Sequence, residues 1–360
     1  MRKRLFAVML ATVIAGCGGG GGDPFVNPND IHRIVSFGDS LSDVGTYVVG
    51  GNPYPGPAQF DAGRYTTNPG AIWTEYVARA YGNKLLPAVQ GGFGVPPIFT
   101  NGLGYAQGGA QVSSTVTQDY SGALAWPVSR QVDSYIQSYG FFGPDQLVLL
   151  QGGANDIINA VLEAANGQIF PSDVPGLVVD AAIDLADQVR RIDQAGGSKI
   201  ALLNVPDIGA TPFGRQNPEI GPALGAMSRL FNDTLRDRLQ QRAQPRGLVL
   251  IDAYAWYSDT LLNYRRAGFR VGADDVACSL PKVLDRAYFL GLPNPVNFVQ
   301  QNGWALLCSG RTLTEPDADQ SYMFADLLHP ASRVQQLFGR YVVSQLQARG
   351  YAPFTAVDAL

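Results

Sequence analysis

Four short, almost wholly apolar runs punctuate this chain of 360 residues, at 31–37, 146–151 (QLVLLQ), 199–205 (KIALLNV) and 248–252 (LVLID). A strand with one face in water alternates polar and apolar residues; an unbroken apolar run implies burial on both faces, as in parallel strands between two layers of helix. The first three runs end in strand breakers: Gly38-Asp39-Ser40, Gly152-Gly153 and Pro206-Asp207. Between the runs the apolar period changes to that of a helix. Residues 176–195 align Leu177, Ala181, Leu185 and Val189, and residues 222–243 align Leu224, Met227, Leu230, Phe231, Leu235 and Leu239. A last helix is predicted after Pro330, with the proline in its first turn and Val334, Leu337, Phe338, Tyr341 and Leu346 facing inward. Strand alternating with helix predicts a doubly wound α/β fold, a central parallel sheet sandwiched by helices.

Two regions break that rhythm. Residues 47–70 are rich in Gly, Pro and aromatics, and residues 254–325 carry Cys278 and Cys308 with little periodicity. Open α/β sheets bind ligands beyond the C-terminal ends of their strands, so both regions are expected to be insertions that wall a pocket there. Composition narrows what the pocket can do. The 26 Lys+Arg face 30 Asp+Glu, with no basic cluster outside the first four residues, so the footprint of a nucleic-acid partner is missing. Two histidines, His32 and His329, without CxxC or HExxH, are too few for the usual zinc sites, and no P-loop or dinucleotide fingerprint occurs. Neither a metal nor a cofactor is expected.

Arg2-Lys3-Arg4 precedes an apolar run over residues 5–16, too short to span a bilayer and suited to a signal peptide. Ile14-Ala15-Gly16-Cys17 resembles the bacterial lipobox, which implies cleavage before Cys17 and lipid on its sulfur. Lipidation of Cys17 would leave Cys278 and Cys308, which an oxidising compartment tends to join. Residues 17–30, glycine-rich and then Pro/Asn-rich, read as a flexible tether. The expectation is an exported protein, lipid-anchored at the outer membrane, with one folded domain over residues 31–350. Without residues 1–16 the basic residues fall by three, to 23 against 30 acidic ones, a net charge of −7.

With His32 inside the predicted first strand, His329 is the one histidine on a candidate functional loop. Asp326, three residues earlier, would lie on the same side of a helical turn and orient the imidazole. A serine hydroxyl is a weak nucleophile unless such a base, itself held by a third group, takes its proton. Ser40, where a buried strand turns into a helix after Gly38, is the best candidate nucleophile. Asp39, Ser42, Asp43 and Asp156 read as turn and cap ligands, and His32 as a structural strand residue. Tyr47, Tyr54, Phe60 and Tyr65 suit either acyl binding or loop packing.

Phe37-Gly38-Asp39-Ser40-Leu41, Gly153-Ala154-Asn155-Asp156 and Asp326-x-x-His329-Pro330, in this order, resemble the GDSL lipases and esterases of the SGNH hydrolase superfamily. Gly104-Tyr105-Ala106-Gln107-Gly108-Gly109-Ala110 is similar to a further block of that family, and Gly63-Arg64-Tyr65 to another. The resemblance implies a flavodoxin-like fold and a serine esterase or lipase, with Ser40 as nucleophile, His329 as base and Asp326 as its orienting acid. It implies an oxyanion hole built from the N–H of Ser40, the N–H of Gly109 and the Asn155 amide. Gly104 stands where the family has Asn, which leaves Gly108 as the alternative to Gly109. The implied partners are an ester substrate, acyl ester or lipid, and a membrane reached through Cys17. An acyltransferase moving an acyl group to an alcohol is the alternative within the resemblance, and a non-catalytic surface lipoprotein is the alternative outside it.

Overall fold

The computed structural model describes residues 30–50, 58–114, 122–241, 245–292, 294–301 and 304–360. The expectations for residues 1–16, for the tether up to residue 29, for Cys17 and for Tyr54 lie outside these residues. Among the described residues, the strands Arg33–Phe37, Gln146–Leu150, Lys199–Leu203 and Gly247–Ile251 form a parallel sheet in that order. Each falls within one of the apolar runs, give or take a residue or two. Successive side chains on a strand point to opposite faces, and here both faces are cores. Val35, Phe37, Val148, Leu150, Ile200 and Leu202 enter one, while Ile34, Leu147, Leu149, Ala201, Leu203 and Ile251 enter the other. The fourth strand forms an edge of the sheet, and its Leu250 is 42% exposed.

Helices cover both faces. Val128–Tyr139, Ala154–Ala165, Val174–Gln194 and Gly221–Gln240 contribute to the first core, and Trp73–Ala80 and Ser332–Ala348 to the second. The stripe of Val174–Gln194 runs through Val178, Ala181, Leu185, Val189 and Ile192. Leu177, placed on it by the sequence, is 46% exposed, because Val178 occupies the inward position of the first turns. In the last helix Val334, Phe338, Val342, Val343 and Leu346 are buried, whereas Leu337 and Tyr341 are half-buried. Pro330 is not in its first turn: it pairs with Phe324 ahead of a helix that starts at Ser332. His32 lies outside the first strand, exposed, with its ring 6.0 Å from that of Phe354.

Beyond the first strand, on the side away from Gln146–Leu150, Ser36 forms a parallel bridge with Gly104. Ser36 N–H donates to Leu103 O at 3.0 Å, and Tyr105 N–H to Ser36 O at 2.7 Å. The chain therefore leaves the first strand for one side and later returns to pair on the other, a strand-order reversal that opens a crevice at the C-terminal strand ends. The two irregular regions meet above this crevice. Residues 254–325 contain helices at Leu280–Phe289 and Pro295–Gln301, too short and too exposed on one side to print a long period. Val283, Ala287 and Phe298 from them pack with Tyr47, Phe60 and Tyr65 from the other region, beside Cys278 and Cys308, which form a disulfide. No helix among the described residues is long and apolar enough to cross a membrane.

Gly153 turns the chain from the second strand into Ala154–Ala165 at φ +108°, and a Cβ there would stand 2.3 Å from the Phe231 ring. Gly153→Ala should cost about 1–3 kcal/mol through overpacking alone. Gly176→Ala, in open space on a helix, should instead stabilise by about 0.5–1 kcal/mol. Urea unfolding of the two variants checks the contrast; equal shifts would reject it.

Candidate active site

The first strand ends in a turn gripped by two buried glutamines. Gln131 pairs with both polar groups of Gly38, accepting from its N–H at 2.9 Å and donating to its carbonyl at 2.8 Å. Gln151 accepts from Asp39 N–H at 2.7 Å, and its side chain passes so near Gly38 that a Cβ there would be 2.1 Å from its Oε1. Asp39 then caps the 3-10 turn Ser40–Ser42 by accepting from Leu41 N–H at 3.0 Å. Ser40 is the first residue of that turn, so its N–H has no acceptor within it. Neither glutamine stood out in the sequence; a polar residue closing the apolar run 146–151 was the signal for Gln151.

Asp326 and His329 do not share a helix. The segment is a bend in which Asp326 Oδ1 accepts from Leu328 N–H at 2.9 Å and from His329 N–H at 2.6 Å. The carboxylate folds the loop around itself, which returns the imidazole to it: His329 Nδ1 lies 3.0 and 2.9 Å from the two oxygens. Oδ2 also accepts from Ala305 N–H at 3.2 Å, a partner from the second irregular region that no local pattern announces. His329 Nε2 is 2.8 Å from Ser40 Oγ, across 289 residues of sequence. A carboxylate facing Nδ1 favours the tautomer with its proton there, leaving Nε2 to accept from the hydroxyl. Burial raises the Asp326 carboxyl, but His329 and the N–H donors outweigh it and hold the group below its ordinary value.

Gly108, Gly109 and Asn155 line the same cavity as Ser40 and His329. Gly108 donates its N–H to Asp43 Oδ2 at 2.9 Å, so that donor is engaged. Gly109, at φ +81°, is the neighbour left to face the cavity. Asn155 donates one amide hydrogen to Ala110 O at 2.9 Å, which orients the amide and leaves its second hydrogen. The cavity, about 410 Å³, has walls dominated by apolar side chains such as Ile158, Ile208, Phe213, Leu261, Trp304 and Leu328. That volume and a small set of convergent polar groups are typical of a small-molecule site. Tyr65 also lines it, its ring 4.9 Å from the His329 ring, whereas Tyr47 and Phe60 pack inside the insertion core.

The remaining acids act as backbone acceptors, as turn and cap ligands do. Asp43 takes N–H bonds from Gly45, Thr46 and Gly108, and Asp156 from Val112. Burial pushes Asp43 up to about 6 and Asp156 up to about 7, and it raises Asp39 as well. Among the described residues no group of three or more His, Cys, Asp or Glu could hold a metal ion.

A buried serine, imidazole and carboxylate in hydrogen-bonded series beside an apolar cavity is an arrangement capable of acyl transfer. The family model for GDSL-like lipase/acylhydrolase matches residues 34–342. The chain belongs to that family. It is 24% identical to a GDSL esterase/lipase of Arabidopsis thaliana, over 86% of this chain and 85% of that protein. It is 28% identical to the phosphatidylcholine-sterol acyltransferase of Aeromonas hydrophila, over 60% of this chain and 56% of that enzyme. It is 25% identical to an uncharacterized protein from the trpE-trpG intergenic region of Pseudomonas putida, over 97% of this chain and 53% of that protein. The chain thus spans about half the length of the last two relatives.

Asp156 offers a test of the site's electrostatics. Its folded carboxyl keeps a proton to a higher pH than the unfolded value of 3.8, so its contribution to stability is lost as pH rises toward about 7. Asp156→Asn keeps an acceptor for Val112 N–H without the buried charge. Its melting temperature relative to the unsubstituted protein should rise between pH 5 and pH 8; a gap independent of pH would show that Asp156 does not titrate there.

Proposed function

We propose that the protein is a serine esterase or lipase that cleaves carboxylic esters through an acyl-enzyme on Ser40. The observation that carries this reading is the unbroken series Asp326, His329, Ser40, with 2.9 Å and 2.8 Å separations, opening on an apolar cavity. Ser40 Oγ attacks the ester carbonyl carbon as its proton passes to His329 Nε2, and the carbonyl electron pair moves onto oxygen. The N–H groups of Ser40 and Gly109 and the Asn155 amide receive that charge, a task for which fixed donors in a dry site are suited. Collapse expels the alcohol oxygen, which takes the proton from His329. Water then repeats the sequence on the acyl-enzyme and releases the acid. Asp326 stabilises the imidazolium in both halves.

A second reading has support in the similarity to the Aeromonas acyltransferase: an alcohol replaces water in the second half and an ester leaves instead of an acid. In either case the lipobox-like segment before Cys17, with Cys278 and Cys308 paired to each other, supports export and anchoring at a lipid surface.

Hydrolysis of a p-nitrophenyl ester series from acetate to palmitate tests the proposal. Ser40→Ala and His329→Ala should each lower kcat by a factor on the order of 10⁶. Asn155→Ala should lower it by about 10²–10³. Turnover that survives Ser40→Ala would sink the acyl-enzyme. Addition of a long-chain alcohol, with analysis of the products, separates hydrolysis from acyl transfer.

A further inference from the structure

A backbone N–H serves as an oxyanion donor only if its peptide plane is held with the hydrogen toward the reacting centre. The peptide joining Gly108 to Gly109 is flanked by two glycines, the residues that restrain a plane least. Its geometry is nevertheless determined from behind. Tyr47, fully buried and outside the cavity wall, places its hydroxyl 3.0 Å from Gly108 O and 3.0 Å from Ala125 N. An N–H can only donate and a carbonyl can only accept, so the roles are forced: the hydroxyl accepts from Ala125 and gives its single proton to Gly108 O. In a planar trans peptide the carbonyl and the N–H point to opposite sides. With Gly108 O drawn back to Tyr47, the N–H of Gly109 points away from the insertion core, toward the cavity that Gly109 lines.

Two further contacts keep the plane from turning, and the backbone of Ala125 is itself held in place. Gly108 N–H is tied to Asp43 Oδ2 at 2.9 Å, so the peptide on its other side is held too. Thr46 Oγ1 donates to Ala106 O at 3.1 Å, just upstream. Ala125 sits at φ +41°, a left-handed conformation that a non-glycine residue adopts only when its surroundings hold it, and its N–H is bound by Tyr47. Asp43, Thr46 and Tyr47 follow closely after Ser40 in sequence, so the segment that leaves the nucleophile also grips the loop opposite it.

We infer that Tyr47 is a positioning residue whose hydroxyl locks the Gly108–Gly109 peptide with the Gly109 N–H turned to the oxyanion. The inference rests on the acyl-transfer reading of Ser40. Tyr47→Phe keeps the ring and removes only the proton that holds Gly108 O. The expected result is a loss of about 10²-fold in kcat on p-nitrophenyl esters, the order seen when one oxyanion donor is removed. An alkyl trifluoromethyl ketone, which places a tetrahedral oxyanion on the serine, should lose affinity in parallel, while a long-chain alcohol that binds the cavity without reacting should not. Unchanged ketone affinity, or equal losses for ketone and alcohol, would overturn the inference. A crystal structure of the unsubstituted protein with the ketone bound gives a second reading that needs no variant. It should show Gly109 N within about 3.2 Å of the adduct oxygen; a Gly108 carbonyl turned into the cavity would overturn the assignment. Failure of the underlying reading looks different: no ketone adduct on Ser40, and turnover indifferent to Ser40→Ala.

Discussion

The parallel pairing of Arg33–Phe37 with Gln146–Leu150 on one side and with Gly104 on the other is the constraint on which the site depends. Parallel strands end level with one another, so three separate chain segments leave the sheet at the same edge. One carries Ser40, one carries Gly108 and Gly109, and one carries Asn155. Each brings its own backbone donors or side-chain amide without any of them having to reach. The cost of such an arrangement is three irregular segments at one buried place, each with N–H and carbonyl groups that need partners.

Side chains supply those partners, and most of them are amides and carboxylates with no role in moving protons. Gln131 and Gln151 hold the turn before Ser40, Asp43 holds the start of the glycine loop, and Asp156 holds Val112 beyond it. A buried carboxylate is expensive unless several donors surround it. Asp43, with three N–H partners, and Asp156 still bind protons more readily than they would in water, the sign that burial outweighs those bonds. Asp326 differs because a potential cation, His329, lies against it, and its carboxyl is displaced in the opposite direction. One residue type thus accepts from backbone N–H groups alone or also faces an imidazole, and the direction of its displacement follows from that difference.

The two irregular regions do more than line the cavity. Ala305, whose N–H completes the shell of Asp326, belongs to a short turn, Trp304–Leu307, that leads directly into Cys308. The disulfide ties this turn to Cys278, whose N–H donates to Ala325 O beside Asp326. Asn68 contributes from the other insertion, with Nδ2 within 3.2 Å of the carbonyls of Ala305 and Cys308. Tyr65, three residues before Asn68, brings its ring against His329. Both irregular regions therefore bear on the Asp326–His329 pair itself.

Continuous apolar runs and helical periods marked the four sheet strands and three of the helices that cover them, because burial on two faces leaves an unmistakable local pattern; Trp73–Ala80, Val128–Tyr139 and Ala154–Ala165 were not read from it. The side chains that meet at the cavity were equally legible by residue identity: a histidine, an aspartate three residues before it, a serine after the first strand. Neighbours distant in the chain were not. The sequence could not separate Gly108 from Gly109, since the distinction lies in which N–H Asp43 engages. It suggested a helical turn for Asp326 and His329, where a carboxylate-wrapped bend does the same work. It was silent on Gln131, Ala305 and the hydroxyl of Tyr47, each of which acts through a hydrogen bond to a residue distant in the chain. Local pattern records what each segment buries; only the tertiary fold decides which backbone groups are left for a side chain to hold, because that depends on what arrives from elsewhere.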